Sequence, residues 1–296
     1  MHDWGSMKKF KILIPVYNDW ESLGKLLLEI NKNISSIKNI QFDCVIINDA
    51  SSIESPKINI PSNINSLEII NMKENRGHIR CNAYGIKYLV NKSDFDYLIL
   101  MDGDGEDRPE EINDLVKKAL DNPDYSVVAK RVKRSEGILF KFLYQIHKFL
   151  TLVSTGKLIN FGNYSCLTKN DVILLSTEAS LWSSFSGTVK KHIKNFNSIN
   201  SIRGVRYFGS SKMSLFKLVM HSFSIIAVFK YQLFFRSLIV LLVSYYLTVS
   251  YQIDFIVLQI LLVLFNLIIF IVSFRENQKA YLSSEDNVLS KKIHTH

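Results

Sequence analysis

Tyr97-Leu98-Ile99-Leu100-Met101-Asp102-Gly103-Asp104-Gly105-Glu106-Asp107-Arg108-Pro109 is the stretch on which the reading of this chain turns. Five uninterrupted apolar residues suit a strand covered on both faces. Four carboxylates and two glycines follow. Pro109 then opens a helix with Glu110 and Glu111 in its first turn, where the helix dipole favours acidic side chains. Asp102 and Asp104, two residues apart at a strand's carboxyl end, can converge on one hard cation. Mg²⁺ or Mn²⁺ takes oxygen ligands and accepts substrate phosphates in its shell. Such an ion neutralises a diphosphate leaving group. A solvated acidic turn is the plainer alternative. A calcium loop fails on detail, because Asp107 occupies the sixth position, where glycine is needed, and Asn113 the twelfth, where glutamate is.

Outward from this stretch, short Ile/Val/Leu-rich runs alternate with helical periodicity. Lys11–Val16, Phe42–Asn48, Leu67–Met72, Tyr97–Met101 and Tyr125–Lys130 read as strands; Glu21–Asn33, Ile79–Asn91 and Pro109–Leu120 read as helices. This alternation predicts an α/β fold whose mostly parallel sheet carries helices on both faces. Ligands in such sheets gather at the carboxyl ends of the strands. Three more signals sit there. Pro15, Tyr17 and Asn18 end the first strand. Asp49 ends the second and can accept hydrogen bonds from a base or ribose. Arg76, Gly77 and Arg80 surround a helix start, where backbone N–H groups and guanidinium forks attract phosphate. His78 reads as orienting or structural. Each is ordinary turn chemistry alone; their agreement on one edge carries the weight.

The second half differs. Residues 138–153 and 215–229 have helical apolar stripes suited to a membrane interface or to packing on the sheet. Ser237–Ile253 and Phe255–Phe274 approach or reach the ~20 apolar residues that cross a bilayer. With only a short turn between them they predict a two-helix hairpin. Lys230 and Arg236 precede it, and Arg275 and Lys279 follow. The positive-inside rule therefore puts both ends and the α/β domain in the cytoplasm, as a multi-pass protein of the inner (cytoplasmic) membrane. The expected organisation is a tag-like remnant at residues 1–6, an α/β domain at 7–214, a juxtamembrane helix at 215–232, the hairpin at 233–275 and a loose polar tail at 276–296. The net charge of +9 suits lipid phosphate, and without zinc-finger spacing or a dense basic tract nucleic acid is not an expected partner. Cys44, Cys81 and Cys166 form no CxxC pair, which argues for a reducing compartment and against zinc. A two-helix anchor allows self-association.

In this order PVYND, INDASS, NRGH and DGDGED resemble glycosyltransferase family 2, with its GT-A fold, and most closely its polyprenyl-phosphate glycosyltransferases. The resemblance covers about residues 8–215. It implies a nucleotide-sugar donor, a polyprenyl-phosphate acceptor and inverting transfer, with Asp102 and Asp104 on metal and diphosphate. Glu106 stands where the family has Gln and becomes a third metal candidate. Asn48 replaces the first of two aspartates near the nucleobase. By the same resemblance Arg131, Arg134, Arg206, Ser211 and Lys212 are candidates to grip acceptor phosphate, while Phe161–Ser165 replaces a Gly-Phe-Arg segment. Two alternatives stay open. One is a hydroxyl acceptor on a glycan or lipid-linked sugar, served by Asp107 or Glu136 as base; the other is an inactive nucleotide-sugar-binding scaffold.

Overall fold

The computed structural model describes residues 7–92, 94–133, 138–209 and 214–296. Among them the order is β1 (Lys8–Val16), α1 (Trp20–Ile34), β2 (Ile40–Asn48), β3 (Ser66–Met72), α2 (His78–Lys92) and β4 (Tyr97–Leu100). A 3-10 turn at Pro109–Glu111 leads into α3 (Ile112–Asp121), then β5 (Val127–Lys133), α4 (Ile138–Thr155), β6 (Phe161–Thr168), α5 (Lys169–Ser176), α6 (Phe185–His192) and β7 (Asn197–Ile202). The chain ends with α7 (Leu215–Ala227), α8 (Lys230–Tyr251), α9 (Ile256–Ser273), α10 (Gln278–Leu282) and β8 (Val288–Thr295).

The strands form one sheet in the order β7-β5-β6-β4-β1-β2-β3-β8 among the described residues. Strands β1 to β4 run parallel, whereas β6 is antiparallel to both β4 and β5. Alternation along β1 splits the core into two layers. Leu13 packs with Ala83, Tyr84 and Leu89 of α2 on one face. Ile12 and Ile14 pack with Leu23, Leu26 and Leu27 of α1 and Leu115 of α3 on the other. Register then gathers the strand ends. Val16 lies opposite Asn48 and Leu13 opposite Leu100, which sets Tyr17 beside Asp49 and Pro15 beside Asp102.

The predicted α/β architecture is the observed one, with three strands added. Phe161–Thr168, Asn197–Ile202 and Val288–Thr295 interleave Ser, Asn, Thr and Lys with their apolar residues, so they carry no apolar run. The loose polar tail is a correction. Helix α10 and strand β8 fold back onto the domain, and β8 pairs antiparallel with β3 from Ser66↔Thr295 to Met72↔Val288. Tyr281 is 2 % exposed, and its hydroxyl donates to the Ser176 carbonyl at 2.8 Å. Tyr84 donates to Glu285 at 2.8 Å. Lys291 and Lys292 on the new edge discourage further strand pairing.

Helices α8 and α9 are long and apolar enough to cross a membrane. Leu238, Leu242, Ile260 and Leu261 face outward, while Asn266 donates to Ser237 at 2.8 Å and Gln259 to Ser244 at 3.2 Å between the two helices. Polar bridges of this kind hold membrane helices together where burial from water supplies little. Helix α7 joins the hairpin to the domain. Ile226 and Met220 pack with Leu233, Ile269 and Phe265, and an added Cβ on Gly187 of α6 would lie 3.0 Å from Val228. Lys230 and Glu276 close the hairpin's base with a 2.9 Å ion pair.

Candidate active site

The acidic loop begins where the β4 ladder ends. Met101 N–H still donates to Leu13 O at 3.2 Å; Asp102 N–H donates instead to Asp107 Oδ2 at 3.0 Å. Asp104 Oδ1 accepts from Glu106 N–H at 3.0 Å. Gly105 has φ +86°, and a Cβ there would lie 2.5 Å from the Tyr207 ring, so both backbone and space demand glycine. Gly103 sits against β1, where a Cβ would lie 2.9 Å from Pro15 O.

A strap from Arg203 to Gly209 covers this loop. Gly204 N–H donates to Glu106 O at 2.8 Å and Tyr207 N–H to Asp104 O at 2.9 Å. Arg206 donates through Nη1 to Asp104 Oδ2 at 2.8 Å and through Nη2 to Asp19. Arg203 pairs closely with Glu106. Negative charge remains in excess. Burial first, then the charges of Asp102 and Glu106, push the Asp104 carboxyl up to about 6 despite Arg206. Burial and Asp102 likewise push Asp107 up to about 7, against Arg131 at 3.8 Å.

These features fit a divalent cation. Asp102 and Asp104 supply hard oxygens in a place short of positive charge. Among the described residues no three His, Cys, Asp or Glu side chains form a ready cage. Two carboxylates would leave the rest of an ion's shell to substrate phosphates and water. Glu106, the third candidate from sequence, is engaged by Arg203.

The polar residues at the ends of β1 and β2 converge as the register requires. Both Asp49 oxygens accept backbone N–H groups at 2.8 Å, from Arg76 and Gly77. Asp49 thereby fixes the turn into α2. Asn18 ties the first two strand-end loops together, with its N–H on Ser51 Oγ at 2.9 Å and its Oδ1 accepting from Ile53 N–H at 3.0 Å. Asn48 donates to Asn71 at 2.8 Å, linking β2 to β3.

Pro15, Tyr17, Asp49, Arg76, Gly77, Arg80, Asp102, Asp104, Glu106 and Arg206 all line one cleft of about 640 Å³. Asp107 and Arg131 are absent from its lining; Asp107 is buried within the acidic loop, 3.8 Å from Arg131. Arg134, Ser211 and Lys212, together with Glu136, lie outside the described residues. Asp19, part of the PVYND signal, lines the cleft too, and sequence reasoning missed Arg203, Trp182, Phe216, Lys217, Met220 and Arg275, all of which line it. It also missed Asn163, which donates to Asp102 Oδ1 at 3.3 Å. Asp19 was legible in PVYND as a strand-end polar group. The others come from elements joined to the site only by tertiary packing.

A parallel sheet flanked by helices, with a carboxylate loop at its carboxyl edge, is the frame of a GT-A glycosyltransferase. Solved structures share that fold. Glucosyl-3-phosphoglycerate synthase from Mycobacterium tuberculosis, in complex with Mn²⁺, UDP and glucosyl-3-phosphoglycerate, superposes with a TM-score of 0.52 at 14% identity, covering 78% of this chain and 81% of its own. Mannosyl-3-phosphoglycerate synthase from Rubrobacter xylanophilus gives 0.53 at 10% identity, covering 75% and 72%.

The family model for glycosyl transferase family 2 matches residues 11–196, and the chain belongs to that family. Among curated relatives, undecaprenyl-phosphate 4-deoxy-4-formamido-L-arabinose transferase of Proteus mirabilis is 28% identical over 229 residues, 74% of this chain and 67% of that protein. The enzyme of the same name from Photorhabdus laumondii is 29% identical, over 72% of this chain and 65% of its own. The match thus spans about two thirds of each relative's length.

Proposed function

We propose that this family 2 glycosyltransferase moves a sugar from a nucleotide-sugar donor to a polyprenyl phosphate at the cytoplasmic face of a membrane, with inversion at the anomeric carbon. The observation that carries the reading is a shared cleft. The acidic strand-end loop and the first turns of α7, the helix leading into the apolar hairpin, line the same space. The relatives' undecaprenyl-phosphate substrates point the same way.

In this reading the donor's base and ribose lie over the β1 and β2 ends, near Tyr17 and the Asp49-anchored turn, and its diphosphate lies at Asp102 and Asp104. Those two carboxylates would hold Mg²⁺ or Mn²⁺, which supplies charge neutralisation for the departing diphosphate. Arg206 is placed to exchange Asp104 and Asp19 for phosphate oxygens. Asp107 acts by position, since it receives the Asp102 N–H and so sets the loop's shape. An acceptor phosphate oxygen forms the new bond to the anomeric carbon as the bond to the diphosphate oxygen breaks. A monoester phosphate, with a second pKa of about 6, is already largely anionic at neutral pH and needs no general base. Positioning and charge stabilisation then dominate the rate.

The test is transfer by purified protein in lipid nanodiscs, from a panel of nucleotide sugars onto undecaprenyl phosphate, with Mn²⁺ or with chelator. A metal-dependent glycosyl phospholipid of inverted anomeric configuration is expected. Retained configuration, or undiminished transfer in chelator, would contradict the mechanism.

A further inference from the structure

The part of the cleft contributed by α2, α7 and the end of the hairpin has a composition of its own. Arg80 comes from α2, Lys217 from α7, and Arg275 from just beyond the end of α9; all three line the cleft. None of the three makes an ion pair among the described residues. Arg275 Nε is buried with no hydrogen-bond partner. Arg80 has one long hydrogen bond, from Nη1 to the Arg76 carbonyl at 3.4 Å, and its guanidinium lies 5.6 Å from the Trp182 ring. Burial first, then the positive charges of Arg275 and Arg76, pull the Arg80 guanidinium below its ordinary range. Asp49 opposes this shift only in part, and cations brought together without an ion-pair partner mark a place where an anion binds.

Phe216 and Met220 complete this wall. Phe216 is 73 % exposed, and Met220 packs against the apolar cluster shared with α8 and α9. One wall therefore offers two guanidinium groups and an ammonium beside apolar side chains that continue towards the hairpin. A nucleoside diphosphate has no use for the apolar part, and inorganic phosphate has none either. An amphiphile with a monophosphate head and an isoprenoid tail matches both.

Resting on the polyprenyl-phosphate reading above, we infer that Arg80, Lys217 and Arg275 form the acceptor-phosphate subsite, with Phe216 and Met220 receiving the first isoprene units. Arg275 then has a second task besides marking the cytoplasmic end of the hairpin. It ties the acceptor head group to the helix that leaves the bilayer, so lipid reaches the sugar without leaving the membrane surface. Guanidinium forks suit this role because each can hold two phosphate oxygens at once.

The test uses the full-length protein and farnesyl phosphate, a short water-dispersible probe, with farnesol and inorganic phosphate as controls. Binding is read as thermal stabilisation, and nucleotide-sugar binding is measured separately. Farnesyl phosphate stabilises the wild type more than either control. Arg275→Gln and Arg80→Gln each weaken it at least tenfold; in Arg275→Gln nucleotide-sugar affinity stays within twofold, and Arg275→Lys recovers part of the loss. Where a Gln variant fails to fold, Lys217→Gln and Arg275→Lys supply the same comparison, with losses of several-fold. Farnesyl phosphate affinity unchanged in folded variants, or a loss falling on the nucleotide sugar instead, would overturn the subsite. Wild-type binding of farnesyl phosphate without any transfer to polyprenyl phosphate would sink the proposed reaction yet leave the subsite standing. Transfer with unchanged acceptor KM in the variants would do the reverse.

Discussion

The carboxyl edge of the sheet and the side contributed by α7 and Arg275 line one cleft, yet they are specified in different ways. The edge is local. Each of its groups sits within a few residues of a strand end, and parallel register alone brings Tyr17, Asp49 and Asp102 together. The other side is assembled at long range. Arg275 follows a hairpin of some forty residues, spanning α8 and α9, and Tyr281 reaches back to the Ser176 carbonyl at 2.8 Å. Chemistry placed at strand ends depends on short stretches of sequence, whereas the far wall depends on the whole chain folding around it.

That contrast can be broken most severely at the edge. Asp104→Asn should lower transfer about 1000-fold, ~4 kcal/mol of lost stabilisation of the departing charge, with little change in thermal stability. Turnover measured beside a melting curve checks this. A stable variant retaining more than a tenth of wild-type turnover would remove Asp104 from the chemistry. The far side should respond in the opposite sense. Tyr281→Ala deletes a buried ring and its hydrogen bond, and should cost about 3 kcal/mol of stability. The intact protein that remains should keep its donor affinity. Loss of donor binding at full stability would mean that the tail contributes to the nucleotide site directly.

Smaller effects sharpen the same division. Burial pushes the Asp43 carboxyl up, but hydrogen bonds from Ser66 and Asn65 and the Lys11 charge outweigh it and hold the group below the usual carboxylate range. A depressed folded-state pKa gives stability that is present above the unfolded value of about 3.9 and lost as pH falls through the folded value. Asp43→Asn should therefore lower stability at neutral pH by roughly 1–2 kcal/mol and flatten the acid limb of a melting-temperature profile. An unchanged acid limb would place the pH sensitivity elsewhere. Smallest of all, Asn266→Ala removes the bridge to Ser237 inside the hairpin and should cost only about 0.6 kcal/mol, measured by unfolding in detergent. A loss several times larger would make the hairpin a determinant of the whole fold rather than an anchor.

Much of the first region was legible beforehand because its signals are short-range. Apolar runs reveal covered strands, and DGDGED directly after one of them places carboxylates at the ligand edge. What escaped was coupled to distance in the chain. Strand β8, VLSKKIHT, has no apolar run, and only the backbone groups left open on β3 make it a strand. Arg206 read as a grip for acceptor phosphate and Arg203 carried no signal of its own; only the strap's pairing with residues 104–106 turns them onto Asp104 and Glu106. Asp49 was legible as a strand-end acid but not as the anchor of the next turn, since its partners are backbone N–H groups at 76 and 77.

The central claim is that the two walls serve one reaction, sugar transfer to a lipid phosphate. Its most direct test is competition among acceptors in the same nanodiscs, with one nucleotide sugar, Mn²⁺, and equal undecaprenyl phosphate, undecaprenol and a lipid-linked sugar, with products resolved by mass spectrometry. The expected result is product on undecaprenyl phosphate alone. Preferential product on undecaprenol or on the lipid-linked sugar would contradict it.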